Sequence, residues 1–72
     1  DEETAQRYTT KLQEQLLSLR SAVQRLEGRL GNKSYVANAP KELVAETEQQ
    51  LAETKELLEG VTRELARYST DR

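Results

Sequence analysis

Cysteine, histidine, tryptophan, phenylalanine and methionine are all absent from this chain of 72 residues. Without cysteine and histidine, disulfides, zinc fingers and the usual cysteine and histidine nucleophile systems are excluded. Because methionine is absent, we expect the chain to be a fragment of a larger protein. A core in so short a chain gives only marginal stability, so residues 1–72 hold at most one small domain.

Long apolar runs are also absent, and the longest falls far short of the roughly 20 residues that cross a bilayer. No signal peptide precedes the first polar residues. The basic residues do not border the wide apolar face that interfacial helices use. We therefore expect a soluble chain with no membrane partner.

The charged residues form no catalytic pattern. The glutamates follow solvated helix faces, and no histidine or apolar pocket is present to organise them. We expect the segment itself to have no enzymatic activity, no cofactor, no metal site and no small-molecule substrate.

Two segments carry the heptad spacing of a coiled coil. In the first, the a and d positions are Leu12, Leu16, Leu19, Val23, Leu26 and Leu30. In the second, they are Val44, Thr47, Leu51, Thr54, Leu58, Val61, Leu65 and Tyr68. Strong helix formers fill the remaining positions. The pattern predicts an all-α fold: two long antiparallel helices, about residues 3–30 and 40–68, forming a coiled-coil hairpin with a structured tip loop.

The connection, about residues 31–39, contains most of the turn-forming residues. Gly31 is expected to form a left-handed cap on the first helix, and Pro40 suits the first turn of the second. Nine residues cannot carry the chain back along a helix of about 42 Å, so the helices must be antiparallel. Tyr35 and Val36 are expected to fold back over the end of the core.

Two registers fit this connection. One pairs Leu26 with Leu51 across the seam, and the other pairs Leu26 with Val44. The first matches more large residues with one another and is preferred, but the sequence leaves both open. Thr47 and Thr54 narrow the seam, and we expect them to weaken it.

Charge is distributed unevenly, although the formal net charge is −2. Residues 7–33 contain six basic and two acidic residues, whereas residues 41–68 contain four basic and seven acidic ones. One explanation is that the two signs pair across the seam. The other is a phosphate-contacting face near the tip, where Arg25 and Arg29 are neighbours on one helix surface and Lys33 lies just beyond.

The tip also carries a family resemblance. Residues 32–40 have the sequence NKSYVANAP, between a leucine-heptad helix and a glutamate-rich helix. Over about residues 11–65 the chain resembles the C-terminal coiled-coil arm of valyl-tRNA synthetase. The residues that match the turn signature of that family are Asn32, Tyr35, Val36, Ala39 and Pro40.

This resemblance implies a non-catalytic arm that contacts the elbow of tRNA, where the D and T loops meet. Such an arm helps a cytoplasmic valyl-tRNA synthetase, the parent enzyme, to hold its tRNA. The expected partner is therefore tRNA, with Tyr35 shaping the tip or stacking on a base. The candidate RNA-binding residues are Lys11, Arg20, Arg25, Arg29, Lys33, Tyr35 and Lys41.

A protein-binding function is the alternative. Leu17 and Leu57 lie off the heptad seam, so they could form a contact face for another helix. The chain would then be a structural or protein-interaction hairpin with no RNA role. Weak self-association is expected in that case.

Overall fold

The computed structural model describes residues 2–70, which fold into three helices. These are α1 (Glu2–Gly31), α2 (Lys33–Asn38) and α3 (Lys41–Thr70). The two long helices pack side by side in a body of 53 × 15 × 14 Å, which confirms the prediction of an all-α hairpin. Asp1, Asp71 and Arg72, which the predicted domain includes, lie outside the described residues.

The ends of the long helices are close to the predicted bounds. α1 begins at Glu2 and ends at Gly31, one residue beyond the prediction on each side. α3 begins one residue and ends two residues later than predicted. Differences of this size are usual for helix ends. Within the described part of the chain, no helix is long and apolar enough to cross a membrane.

Two contacts show that α1 and α3 run in opposite directions. The rings of Tyr8 and Tyr68 meet edge to face with their centroids 5.4 Å apart. Further along, Lys55 Nζ lies 3.3 Å from Glu27 Oε2. In the register that pairs Leu26 with Leu51, Tyr68 is level with the residue next to Tyr8. In the other register Tyr68 would be level with Glu2, about 9 Å from Tyr8 along α1. The contacts therefore favour the first register.

The core is a thin stripe along the seam. Leu12, Val23 and Leu26 are its buried apolar residues. Apart from Thr47, the remaining a and d residues of the two heptad segments are half-buried. Thr47, with 2% of its surface exposed, is more buried than any of these apolar residues. The predicted seam therefore faces inward. The supercoiling of the two helices stays a prediction.

The seam threonines satisfy their hydroxyl groups within their own helices. Thr47 Oγ1 donates to the carbonyl oxygen of Leu43 at 2.9 Å, and Thr54 Oγ1 donates to that of Gln50 at 2.7 Å. These bonds remove the cost of burying an unpaired hydroxyl group. They do not replace the apolar contacts that leucine would make at the same positions.

The predicted left-handed cap at Gly31 is wrong, because no glycine between residues 2 and 70 has a positive φ. α1 instead ends with a 3₁₀-type hydrogen bond, in which Asn32 N donates to the carbonyl oxygen of Arg29, three residues earlier, at 3.2 Å. The chain then passes directly into α2. A second helix starting at once leaves no room for the usual glycine reversal.

Gly28 and Gly60 lie inside the long helices at positions where a methyl group would fit. A Cβ atom built on either residue meets nothing within 4 Å, and neither residue has a positive φ. Replacing either glycine with alanine should therefore raise the free energy of unfolding by about 1 kcal/mol, through lost freedom of the unfolded backbone. Urea denaturation followed by circular dichroism measures this change.

The two substitutions serve as controls for each other, because they lie on different helices. Their effects should add in the double variant. A fall in unfolding free energy for either alanine variant would contradict the prediction that a methyl group fits at that position.

Candidate nucleic-acid interface

The tip begins with a capping residue, Asn32. Its backbone is extended, with φ −85° and ψ 105°, and its side-chain Oδ1 accepts hydrogen bonds from Ser34 N at 3.0 Å and Tyr35 N at 3.3 Å. Its carbonyl oxygen accepts from Val36 N at 3.1 Å. These are the bonds of a helix N-cap, and they start α2.

The tip ends where the chain reaches proline. Ala39 is extended, with φ −74° and ψ 151°, as the residue before a proline prefers. Its amide donates to the carbonyl oxygen of Tyr35 at 2.8 Å. The carbonyl oxygen of Pro40 then accepts from Leu43 N and Val44 N, which starts α3.

The connection between the long helices is therefore mainly helical, and the prediction of a loop over residues 31–39 is corrected to that extent. The sequence signal was available: an asparagine followed by six residues that contain no proline or glycine is compatible with a capped helix. A six-residue helix has no apolar periodicity to detect, which is why the pattern alone favoured a loop.

Tyr35 joins the tip to the seam. Its hydroxyl group lies 3.2 Å from Oγ1 of Thr47 on α3, and its side chain is half-buried. The expectation that Tyr35 folds back on the core agrees with this contact. Val36 keeps 43% of its surface exposed, and its folding back over the core stays a prediction.

The predicted basic residues are all exposed, and four of them lie near the tip. Arg29 is in the last turn of α1, Lys33 is the first residue of α2, and Lys41 is the first residue of α3. Arg25 lies one turn before Arg29, about 6 Å along the axis. We call these four residues, Arg25, Arg29, Lys33 and Lys41, the tip cations.

The other two predicted basic residues are not brought to the tip. Arg20 lies nine residues before Arg29, about 13.5 Å along α1, and about 140° around the axis from Arg25. Lys11 is farther still, about 27 Å from Arg29 along the helix. An RNA bound at the tip alone would not reach Lys11.

Ion pairing does not account for the basic character of α1. Of the ion pairs joining described residues, only one connects α1 with α3, that of Glu27 with Lys55. Its acidic residue lies on the basic helix α1, and its basic residue lies on the acidic helix α3. The tip cations form no ion pair with any residue from 2 to 70. Pairing across the seam thus accounts for the contact of Glu27 with Lys55, and the tip cations are exposed.

Two apolar side chains accompany the tip cations, and sequence reasoning did not single them out as exposed. Val36 on α2 and Leu43 on α3 expose 43% and 44% of their surface. Both follow a tip cation closely along the chain, Lys33 and Lys41 respectively. The tip thus offers positive charge beside apolar surface, a combination that suits phosphate and base contacts.

A second surface lies on the trunk, far from the tip. Leu57, with 61% of its surface exposed, borders one groove with Gln15, Ser18 and Val61. It borders another with Gly60 and three glutamates. Leu17 is two residues from Gln15, or about 200° around α1, so it points elsewhere. The hypothesis of one contact face containing both Leu17 and Leu57 is therefore wrong.

Metal chemistry finds no support in the geometry. Among the described residues no group of three or more acidic, histidine or cysteine side chains could hold a metal ion. The tip cations can bind anions such as phosphate.

An elongated helical arm with an exposed basic tip has the features of a nucleic-acid-binding appendage. A family model described as the valyl tRNA synthetase tRNA binding arm matches residues 5–68. The chain therefore belongs to this family, and the predicted resemblance is confirmed. No curated protein and no solved structure matches the chain.

Asn32 should be a measurable contributor to the tip. Asn32→Ala removes the side-chain acceptor for Ser34 N and Tyr35 N, and should cost about 1 kcal/mol of local stability, whereas Asn32→Asp should keep the cap. Amide hydrogen exchange of α2 measures the effect. Equal exchange rates in the alanine and aspartate variants would contradict this role.

Proposed function

We propose that this hairpin binds tRNA through its tip and helps a valyl-tRNA synthetase to hold its tRNA. The family is a tRNA-binding arm, which supports tRNA as the partner. The observation that carries the site is the set of tip cations, placed around three successive helix ends and free of ion pairs with other described residues. Each can release counterions from a phosphate.

The RNA surface is proposed to be the elbow, where the D and T loops meet. The four tip cations lie at one end of a body of 53 × 15 × 14 Å, and a narrow end of this kind suits contact with an exposed RNA surface. Unstacked bases at the elbow would meet the exposed apolar surface of Val36 and Leu43. The phosphates on either side would meet the tip cations.

The acidic helix α3 supports the tip and adds no affinity for RNA. α3 carries seven glutamates between residues 41 and 68, so most of its length repels phosphate. This restricts binding to the tip and to the adjoining part of α1. Lys11 and Arg20 then contribute only where the RNA extends along α1.

Aminoacylation would belong to the parent enzyme, and this segment would add binding energy for tRNA without chemistry. The role would place it in the cytoplasm with the translation machinery. The coiled-coil form of the hairpin serves this role, since two supported helices keep the tip at a fixed distance from the base.

Protein binding is the second candidate function, and the exposed Leu57 groove is the observation that favours it. The occupant would be a second copy of the chain. Glu56 and Arg63 flank the groove with opposite charges, so two copies crossing antiparallel near Gly60 would bring Glu56 of each near Arg63 of the other. The contact is small, and any dimer would be weak.

Removing charge at the tip should weaken RNA binding. Arg29→Gln with Lys33→Gln should lower affinity for tRNA by about tenfold at low salt and reduce the slope of log affinity against log salt by about 1.5. Fluorescence anisotropy with labelled valine tRNA over a salt series measures both. Arg7→Gln with Arg63→Gln removes the same charge from the trunk and is the matched control.

Equal losses in the tip and trunk variants would contradict a tip site. The elbow is tested separately with an acceptor and T-arm minihelix, which lacks the D loop. Full tRNA should bind the hairpin more tightly than the minihelix. Equal affinities would overturn the elbow contact while leaving RNA binding itself intact.

Self-association predicts a concentration-dependent sedimentation coefficient that Leu57→Gln abolishes. Leu17→Gln is the control, because Leu17 is equally exposed but points away from the groove. A strictly monomeric species up to millimolar concentration would exclude the second candidate.

A further inference from the structure

The side chain of Tyr35 connects α2 to α3. Among its residues 33–38, Tyr35 alone is half-buried, and the other five are exposed. A helix of six residues does not persist in water through its own backbone bonds, so α2 depends on its cap and on tertiary contacts. Tyr35 makes the side-chain hydrogen bond that connects α2 to the rest of the hairpin.

The polar end of that contact has a defined direction. Thr47 Oγ1 donates its proton to the carbonyl oxygen of Leu43 at 2.9 Å, so it can only accept from Tyr35, whose hydroxyl lies 3.2 Å away. Thr47 has 2% of its surface exposed, so water does not compete for this site as it does at the surface. The hydroxyl of Tyr35 thus points inward.

We propose that Tyr35 is a positioning residue for RNA binding, acting through its hydrogen bond to Thr47. The bond fixes α2 against α3, and this sets the place of Lys33 relative to Arg29 and Lys41. The inference rests on the proposed function and deepens it, because it assigns Tyr35 to holding the tip rather than to stacking on a base. Without the bond, only a fraction of molecules would present Lys33 in the binding geometry, and the apparent affinity would fall in proportion to that fraction.

Three variants separate the hydroxyl from the ring. Tyr35→Phe keeps the ring and removes the hydrogen-bond donor. Thr47→Val removes the acceptor and leaves Tyr35 unchanged, whereas Thr47→Ser keeps the acceptor. Tyr35→Phe and Thr47→Val should weaken binding of unfractionated tRNA by roughly two- to tenfold, which corresponds to the net contribution of one hydrogen bond. Thr47→Ser should bind as the parent chain does. Tyr8→Phe, at the opposite end of the hairpin, is the control.

Unfolding cannot imitate this result, because Thr47→Val places an apolar side chain in the seam. Its thermal midpoint should be unchanged or higher while its affinity falls. If Tyr35→Phe and Thr47→Val bind as tightly as the parent chain, the hydrogen bond does not position the tip and the inference is overturned, whatever the affinity of Tyr35→Ala.

A double-mutant cycle tests the link to Lys33. Lys33→Gln should cost less affinity in the Tyr35→Phe background than in the parent chain, because α2 no longer holds Lys33 in place. Lys11→Gln should cost the same in both backgrounds, since Lys11 is on α1. Additive effects of Lys33→Gln and Tyr35→Phe would overturn the coupling.

Amide exchange separates failure of this inference from failure of the proposed function. In the absence of RNA, Tyr35→Phe should speed exchange at Val36 and Ala39, while amides near Leu26 stay protected. Unchanged exchange at α2 would overturn the inference whatever the RNA results. Faster exchange in a chain whose parent form binds no tRNA would leave the positioning contact in place and overturn the proposed function.

Discussion

The hairpin depends on one contact, the seam along which α1 lies against α3. Each long helix has a single neighbour of its own length, so each can bury only one stripe of side chains. Leu12, Val23, Leu26 and Thr47 are the buried residues, and the rest of the described surface is at least partly exposed. Such a chain cannot enclose a substrate. It can present a surface to a large partner, and that limits the functions open to it.

The seam also decides how the tip is built. Near the tip the seam position of Thr47 presents a hydroxyl group, and Tyr35 brings its own hydroxyl from α2 to meet it. The junction is therefore fixed by a directional bond. Directional bonds hold angles more tightly than apolar contacts of the same size. This matters for a cluster of cations, whose attraction for phosphate is strong but not directional.

Charge and fold have separate origins in this chain. The heptad positions determine which helix faces meet, whereas the lysines and arginines of α1 and the glutamates of α3 lie on faces that the seam does not use. Between residues 2 and 70, the one ion pair that joins the two long helices, Glu27 with Lys55, has its acidic residue on the basic helix. The asymmetry therefore has little effect on the pairing of helices. In the proposed function, it divides the surface into a tip and an adjoining α1 face that attract phosphate and an α3 trunk that repels it.

Local physics determined much of this protein from its sequence: the two long helices, their antiparallel order, the buried heptad stripe and the family, because each follows from spacing along one helix or from the motif at residues 32–40. The tip helix, the ordinary backbone of Gly31 and the separation of Leu17 from Leu57 were decided by tertiary structure. So was the choice of register, which the Tyr8–Tyr68 contact favours. The tip helix and the backbone of Gly31 depend on the Asn32 cap and on the contact of Tyr35 with Thr47. The register depends on how far one helix slides along the other. Heptad spacing repeats along the chain, so it leaves that sliding undetermined.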